Sequence, residues 1–92
     1  MATETVALQG ELDFETAFDV EMRLEQAIGR ADAVVVDLSG LDFIDSTGIG
    51  TLLEAHKAAQ RQGTSLKLLP GKPPVQRVFE VAGLLDALPF AA

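Results

Sequence analysis

Cysteine, tryptophan and tyrosine are absent from this 92-residue chain, which has one histidine and seven basic residues against fourteen acidic ones. Without Cys there is no disulfide frame, thiol nucleophile or thiolate zinc site. A single His gives poor support to a His-based metal site or a Ser-His triad. The net charge of -7 disfavours a nucleic-acid duplex or an anionic membrane surface as partner, because phosphate recognition rests on Lys and Arg. The favoured partner instead carries a basic patch, and low-salt association is steered by the acidic field. Uninterrupted apolar stretches are only a few residues long, so no membrane insertion is expected. Met1-Ala2-Thr3-Glu4 lacks the basic and apolar regions of a signal peptide, and a cytoplasmic location is the expectation.

What is present is a modest core. Leu, Ile, Val and Phe make up 29 of the 92 residues, well above the level at which charged chains stay disordered. Area scaling gives about 5,200 Å² of surface when folded against about 14,200 Å² unfolded. The chain is read as one domain, residues 1–92, with no repeat or linker.

Glu4 to Gln9 alternates as a strand, and Gly10-Glu11-Leu12-Asp13 is expected to turn the chain. A helix follows to about Gly29, with Ala17, Val20, Leu24, Ala27 and Ile28 on its apolar stripe and Asp13 or Thr16 as cap. Ala33 to Leu38 is a continuous apolar run that suits a central strand covered on both faces, with Asp37 at its solvent edge. Ser39 to Asp45 reads as a connection anchored by Phe43 and Ile44. A second helix starts near Thr47 or Gly48 and ends at Gln62 before Gly63; Ile49, Leu52, Leu53, His56 and Ala59 form its stripe. Ser65 to Leu69 is a strand. Pro73 and Pro74 open a third helix with Val75, Val78, Phe79 and Ala82 buried and Gly83 as its stop. Leu84 to Phe90 is a last strand or a docking tail. The alternation predicts an α/β domain with a largely parallel sheet and right-handed crossovers.

The chemistry-bearing stretch is Asp42-Phe43-Ile44-Asp45-Ser46-Thr47-Gly48-Ile49-Gly50. Ser46 or Asp45 suits a helix cap, contributing about 1 kcal/mol. Two glycines in an opening turn cost about 1 kcal/mol each relative to Ala, so either packing or a bound partner must approach closely there. A hydroxyl at a helix N-terminus is a favourable place for a phosphoryl group. Beside Asp42 and Asp45 such a group would change the surface more than the fold, which suits a switch better than a catalyst. Neither a dinucleotide fingerprint nor a phosphate-cradling P-loop is completed. Asp37, Asp42 and Asp45 lack calcium-loop spacing, so no metal is expected. His56, on the helix stripe, is expected to be a part-buried, hydrogen-bonded structural residue. No catalytic residue and no cofactor are assigned.

The sequence resembles the STAS-domain anti-sigma factor antagonists of bacteria. The resemblance lies in Gly10-Glu11-Leu12-Asp13, Val34 to Leu38, Phe43-Ile44-Asp45-Ser46-Thr47-Gly48-Ile49-Gly50, Pro74 to Glu80, and Ala82-Gly83-Leu84. It implies a STAS-like sheet of four mostly parallel or mixed strands with three to four helices. It also implies a missing first strand, since relatives carry one before the strand that ends in Gly-Glu-Leu-Asp, and a monomer or weak dimer. It further implies a partner-switching protein: unphosphorylated, it binds an anti-sigma factor that is also a serine kinase and so releases the sigma factor. Phosphorylation of Ser46, with Thr47 the second candidate, ends the complex, and a phosphatase resets it. By the same resemblance the partner surface comprises Asp13, Asp42, Asp45, Ser46, Thr47, Gly48, Ile49 and Gly50, together with the exposed face of the second helix. The alternatives are a constitutive STAS adaptor in a transport or stress-sensing complex, and a small nucleotide-binding enzyme.

Overall fold

The computed structural model describes residues 2–91; Met1 and Ala92, the outer ends of the opening segment and of the tail, lie outside the described residues. The elements are β1 (Thr3–Leu12), α1 (Ala17–Arg30), β2 (Ala33–Ile44), α2 (Ser46–Gln62), β3 (Ser65–Leu69) and α3 (Pro73–Val81). The strands form one parallel sheet in the order β1-β2-β3. The expected fourth strand reduces to a single parallel bridge between Leu68 and Phe90. It is held by Leu68 N–H donating to the Pro89 carbonyl at 2.9 Å and Ala91 N–H donating to Leu68 at 2.8 Å. Pro89 has no N–H of its own to extend a ladder. Phe90 earns its place by packing edge-on against Phe79, with ring centroids 5.1 Å apart.

One face of the sheet is buried and the other is not. Val6, Val36 and Leu68 lie in register and are buried, as are Val34 and Leu66. The alternate row, Thr5, Val35 and Lys67 followed by Ala7, Asp37 and Leu69, is exposed or half-exposed. The expectation that β2 is covered on both faces is therefore corrected. Each crossover steps the same way along the sheet, and right-handed connections then put the helices on one side. Residues such as Val20, Leu24 and Ile28 of α1, Ile49 and Leu52 of α2, and Val75 and Phe79 of α3 accordingly join one core with the inward row of the sheet. The accessible surface, 5310 Å², matches the value expected for a chain of this length.

β1 and β2 run further than their alternation indicates. Gly10 to Leu12 belongs to β1 rather than to a turn, and Ser39 to Ile44 belongs to β2 rather than to a connection. The register slips between Ala7 and Gln9 and again between Gly10 and Glu11, each time placing one extra β2 residue against β1. Buried positions on β2 after Val36 are therefore Leu38, Leu41 and Ile44, a spacing of three that hides the strand from a period-two reading. Gly10 takes φ 73° at the second slip, a conformation that a side chain disfavours.

The helices follow their stripes with small differences. Ala17, Val20, Leu24, Ala27 and Ile28 are all buried on α1. On α2 the buried set is Gly48, Ile49, Leu52, Ala55 and Ala59; Leu53 and His56 sit half-buried on its margins. His56 makes no side-chain hydrogen bond among the described residues, against expectation. On α3 Val75 and Phe79 are buried, Val78 is half-buried and Ala82 is exposed, because the helix ends at Val81.

Candidate functional site

The paired strands end at Leu12 and Ile44, and Asp45 leaves the sheet there. Its N–H donates to the Leu12 carbonyl at 3.2 Å. Its carboxylate performs two tasks. Oδ1 accepts from Gly48 N–H at 2.9 Å, capping α2, and Oδ2 accepts from Phe14 N–H at 3.3 Å in the turn before α1. Asp45, not Ser46, is thus the cap, and it ties the starts of both helices together. Gly48 lies on the strand ends: a Cβ built there would stand 2.5 Å from the Leu12 carbonyl oxygen. Gly50 has open space at the same position, with nothing within 4 Å. The close approach expected of both glycines therefore holds for Gly48 alone.

Ser46 and Thr47 open α2 and both are exposed. Among the described residues the Ser46 hydroxyl has no hydrogen-bond partner. Thr47 is engaged through its carbonyl, which accepts from the Thr51 hydroxyl at 3.1 Å. Ile49 is nearly buried, and its N–H closes the first helical turn onto the Asp45 carbonyl at 3.0 Å.

The acidic residues named from sequence do not converge. Asp13 spends one carboxylate oxygen on the N–H groups of Glu15 and Thr16, at 2.9 and 3.1 Å. It thereby organises the turn before α1, while Thr16, at the cap position, makes no side-chain cap bond. Asp42 is exposed and accepts from Lys72 Nζ at 2.5 Å, linking the end of β2 to the loop before α3. Asp37 lies within β2, where the Ser39 N–H bonded to its carboxylate holds it below the usual carboxylate range. Among the described residues no group of three or more His, Cys, Asp or Glu side chains is placed to hold a metal ion.

Two features escaped the sequence reading. First, Ser46 and Ile49 form one wall of an open, mainly apolar groove of about 490 Å³; Pro74, Arg77, Val78, Val81 and Ala82 of the α3 region form the other. Arg77 supplies a positive charge to that lining. Nothing in the chain order announces that α3 stands beside the start of α2. Second, Phe14, Phe18 and Met22 are 80%, 68% and 40% exposed. Phe18 and Met22, four residues apart and away from the buried stripe of α1, were the available signal, with Phe14 in the turn just before the helix: a second apolar line on a helix that needs only one.

Residues 3–92 match the STAS domain family. An anti-sigma F factor antagonist from Paenibacillus polymyxa is 35% identical over 87 residues, covering 92% of this chain and 74% of that protein. The crystal structure of an anti-sigma factor antagonist from Mycobacterium paratuberculosis superposes with a TM-score of 0.82 at 25% identity, covering 94% of this chain and 74% of the other. The Bacillus cell fate determinant SpoIIAA, solved in its phosphorylated form, superposes with a TM-score of 0.69 at 26% identity, covering 96% and 81% respectively. The chain belongs to the STAS domain family, and relatives such as those from Paenibacillus polymyxa and Bacillus subtilis, 74% and 80% of whose length it covers, are named anti-sigma factor antagonists.

Proposed function

We propose that this protein is an anti-sigma factor antagonist whose unphosphorylated form binds an anti-sigma factor with serine kinase activity, and whose release is driven by phosphorylation of Ser46. The observation that carries this reading is the Ser46 side chain: exposed, free of internal hydrogen bonds, and held at the mouth of the groove by a frame that Asp45 and Gly48 fix independently. A kinase can reach the hydroxyl without unfolding anything. The likeness to a relative solved in a phosphorylated form supports the same reading.

Phosphorylation adds roughly two negative charges to a surface that already carries Asp42 and Asp45. Docking a partner over the groove would strip water from that dianion, at a cost of several kcal/mol unless a cation meets it. Thr47, equally exposed, is the second acceptor. The protein acts in the cytoplasm by binding rather than by catalysis, and it needs no cofactor.

The test uses the purified anti-sigma kinase and ATP. Phosphate is located by mass spectrometry in the tryptic peptide bounded by Arg30 and Lys57, and affinity is measured by titration. Ser46→Ala loses the phosphate at position 46, leaving in that peptide only what Thr47 accepts, and binds as wild type does. Ser46→Asp binds at least tenfold more weakly, about 1.4 kcal/mol or more. Equal binding of Ser46→Asp and wild type overturns the switch and leaves a constitutive adaptor.

A further inference from the structure

We propose that Phe18 and Met22 on the outward face of α1, with Phe14 in the turn before it, form a second docking surface for the same partner, receiving an apolar pocket rimmed by Lys or Arg. This rests on the partner-switching reading above and extends it to a helix that reading does not use.

Three observations converge on the stripe. Phe18 and Met22 are apolar side chains exposed one turn apart on a helix whose core-facing stripe is already complete with Ala17, Val20, Leu24, Ala27 and Ile28, and Phe14 stands exposed in the turn just before it. Aromatic and Met side chains presented in this way are enriched where proteins meet. The stripe also begins at the switch. Phe14 N–H donates to the Asp45 carboxylate, which caps the helix that opens with Ser46, so one partner can cover both. Charge then selects the occupant. Helical spacing places Asp19 on one flank of Phe18 and Met22, Glu21 on the other and Glu25 at the far end, and Glu15 lies beside Phe14 in the preceding turn, all exposed. Arg23, the basic residue of this stretch, turns away to donate to the Ala7 carbonyl of β1 at 3.1 Å. A second copy of this chain would bring the same acids against themselves. A basic-rimmed protein surface would pair with them.

The experiment titrates the purified anti-sigma kinase with the unphosphorylated full chain carrying Phe18→Gln, Met22→Gln or, as a control, Leu69→Gln on the open face of the sheet. Phe18 is 68% exposed and Met22 40%, so Phe18→Gln melts as wild type does and Met22→Gln close to it. Phe18→Gln weakens binding about 30-fold, the scale of a buried anchor, and Met22→Gln weakens it less. Phosphorylation of Ser46 at limiting kinase slows in parallel, and wild-type affinity falls as salt rises. Leu69→Gln binds as wild type. If Phe18→Gln and Met22→Gln bind within twofold of wild type while Ser46→Asp does not, the stripe plays no part and the switch stands. If Ser46→Asp also binds as wild type, both readings fall. Loss of a concentration-dependent dimer in Phe18→Gln, with partner affinity unchanged, would assign the stripe to a second copy and overturn the proposal.

Discussion

Replacing Gly48 and Gly50 separately with alanine separates packing from partner contact. In an ordinary helix interior either change stabilises by about 1 kcal/mol. At Gly48 that gain is opposed. The new methyl would stand 2.5 Å from the Leu12 carbonyl oxygen, 2.7 Å from Leu12 Cγ and 2.9 Å from Ile44 Cγ1. The carbonyl is already committed to Asp45 N–H, and Leu12 and Ile44 are 0% and 3% exposed, so neither can yield cheaply. Overpacking of this kind costs about 1–3 kcal/mol, and contact with backbone puts Gly48 at the upper end. The net loss is about 2 kcal/mol, a fall in melting temperature of about 8–16 °C for a domain of this size. At Gly50 nothing lies within 4 Å, so Gly50→Ala keeps its gain and melts about 4–8 °C higher than wild type. Thermal and urea melts followed by circular dichroism measure both. A Gly48→Ala variant as stable as wild type would refute the close-packing account. Titration of Gly50→Ala with the anti-sigma kinase then asks whether a partner fills the open space: weaker binding by a more stable protein is the expected outcome.

Two further perturbations test the frame. Asp45→Ala removes the cap on Gly48 and the tie to Phe14, and should cost about 1–2 kcal/mol in urea melts, most of it restored in Asp45→Asn. The pH dependence of stability comes in part from Glu4 and Asp37. The hydrogen-bonded Arg30 guanidinium lowers the pKa of Glu4, and the Ser39 N–H lowers that of Asp37. A carboxylate depressed in the folded state adds stability above its unfolded pKa, about 4, and that contribution is lost as pH falls through the folded value. The protein should therefore weaken on acidification below about pH 4, and the Glu4→Gln, Asp37→Asn double variant should show a shallower loss in urea midpoints across that range. Both groups lie at the surface, so the effect is small and shrinks with salt.

The elements whose burial keeps one period were legible in the sequence. Val20, Leu24, Ala27 and Ile28 declare α1, and Leu66 and Leu68 declare β3, because each buried face repeats without interruption. β2 was legible only to Leu38. Beyond it two register slips move the buried positions to a spacing of three, and the Ser-Gly-Leu-Asp sequence then looks like a loop. The open face of the sheet was hidden for a different reason. Ala33-Val34-Val35-Val36 has the composition of a doubly covered strand, and only the direction of every crossover leaves Val35 without a helix above it. At the site, the cap pattern in Asp45-Ser46-Thr47-Gly48 was readable from local chemistry. The tie from Asp45 to Phe14 and the α3 wall of the groove were not, since both join segments about 30 residues apart.

These contacts also decide what kind of switch Ser46 can be. A modification can act by breaking a native bond, by making a new internal one, or by changing the surface. The first route is closed, because the Ser46 hydroxyl has no partner among the described residues and Asp45 supplies the cap. The second is weakened by the same carboxylate. It already takes the Gly48 N–H that would otherwise turn toward a phosphate, and it adds a like charge beside one. Arg77, across the groove from Ser46, is the cation of that lining that a phosphoryl group could meet, and the surface route carries the rest. Under the proposed function a phosphoryl group on Ser46 would carry its charge to whatever docks at the groove mouth, above the frame that Leu12, Ile44 and Gly48 form. A rigid frame would serve the proposed switch: the partner would meet the same shape in both states, and charge would separate the bound form from the released one.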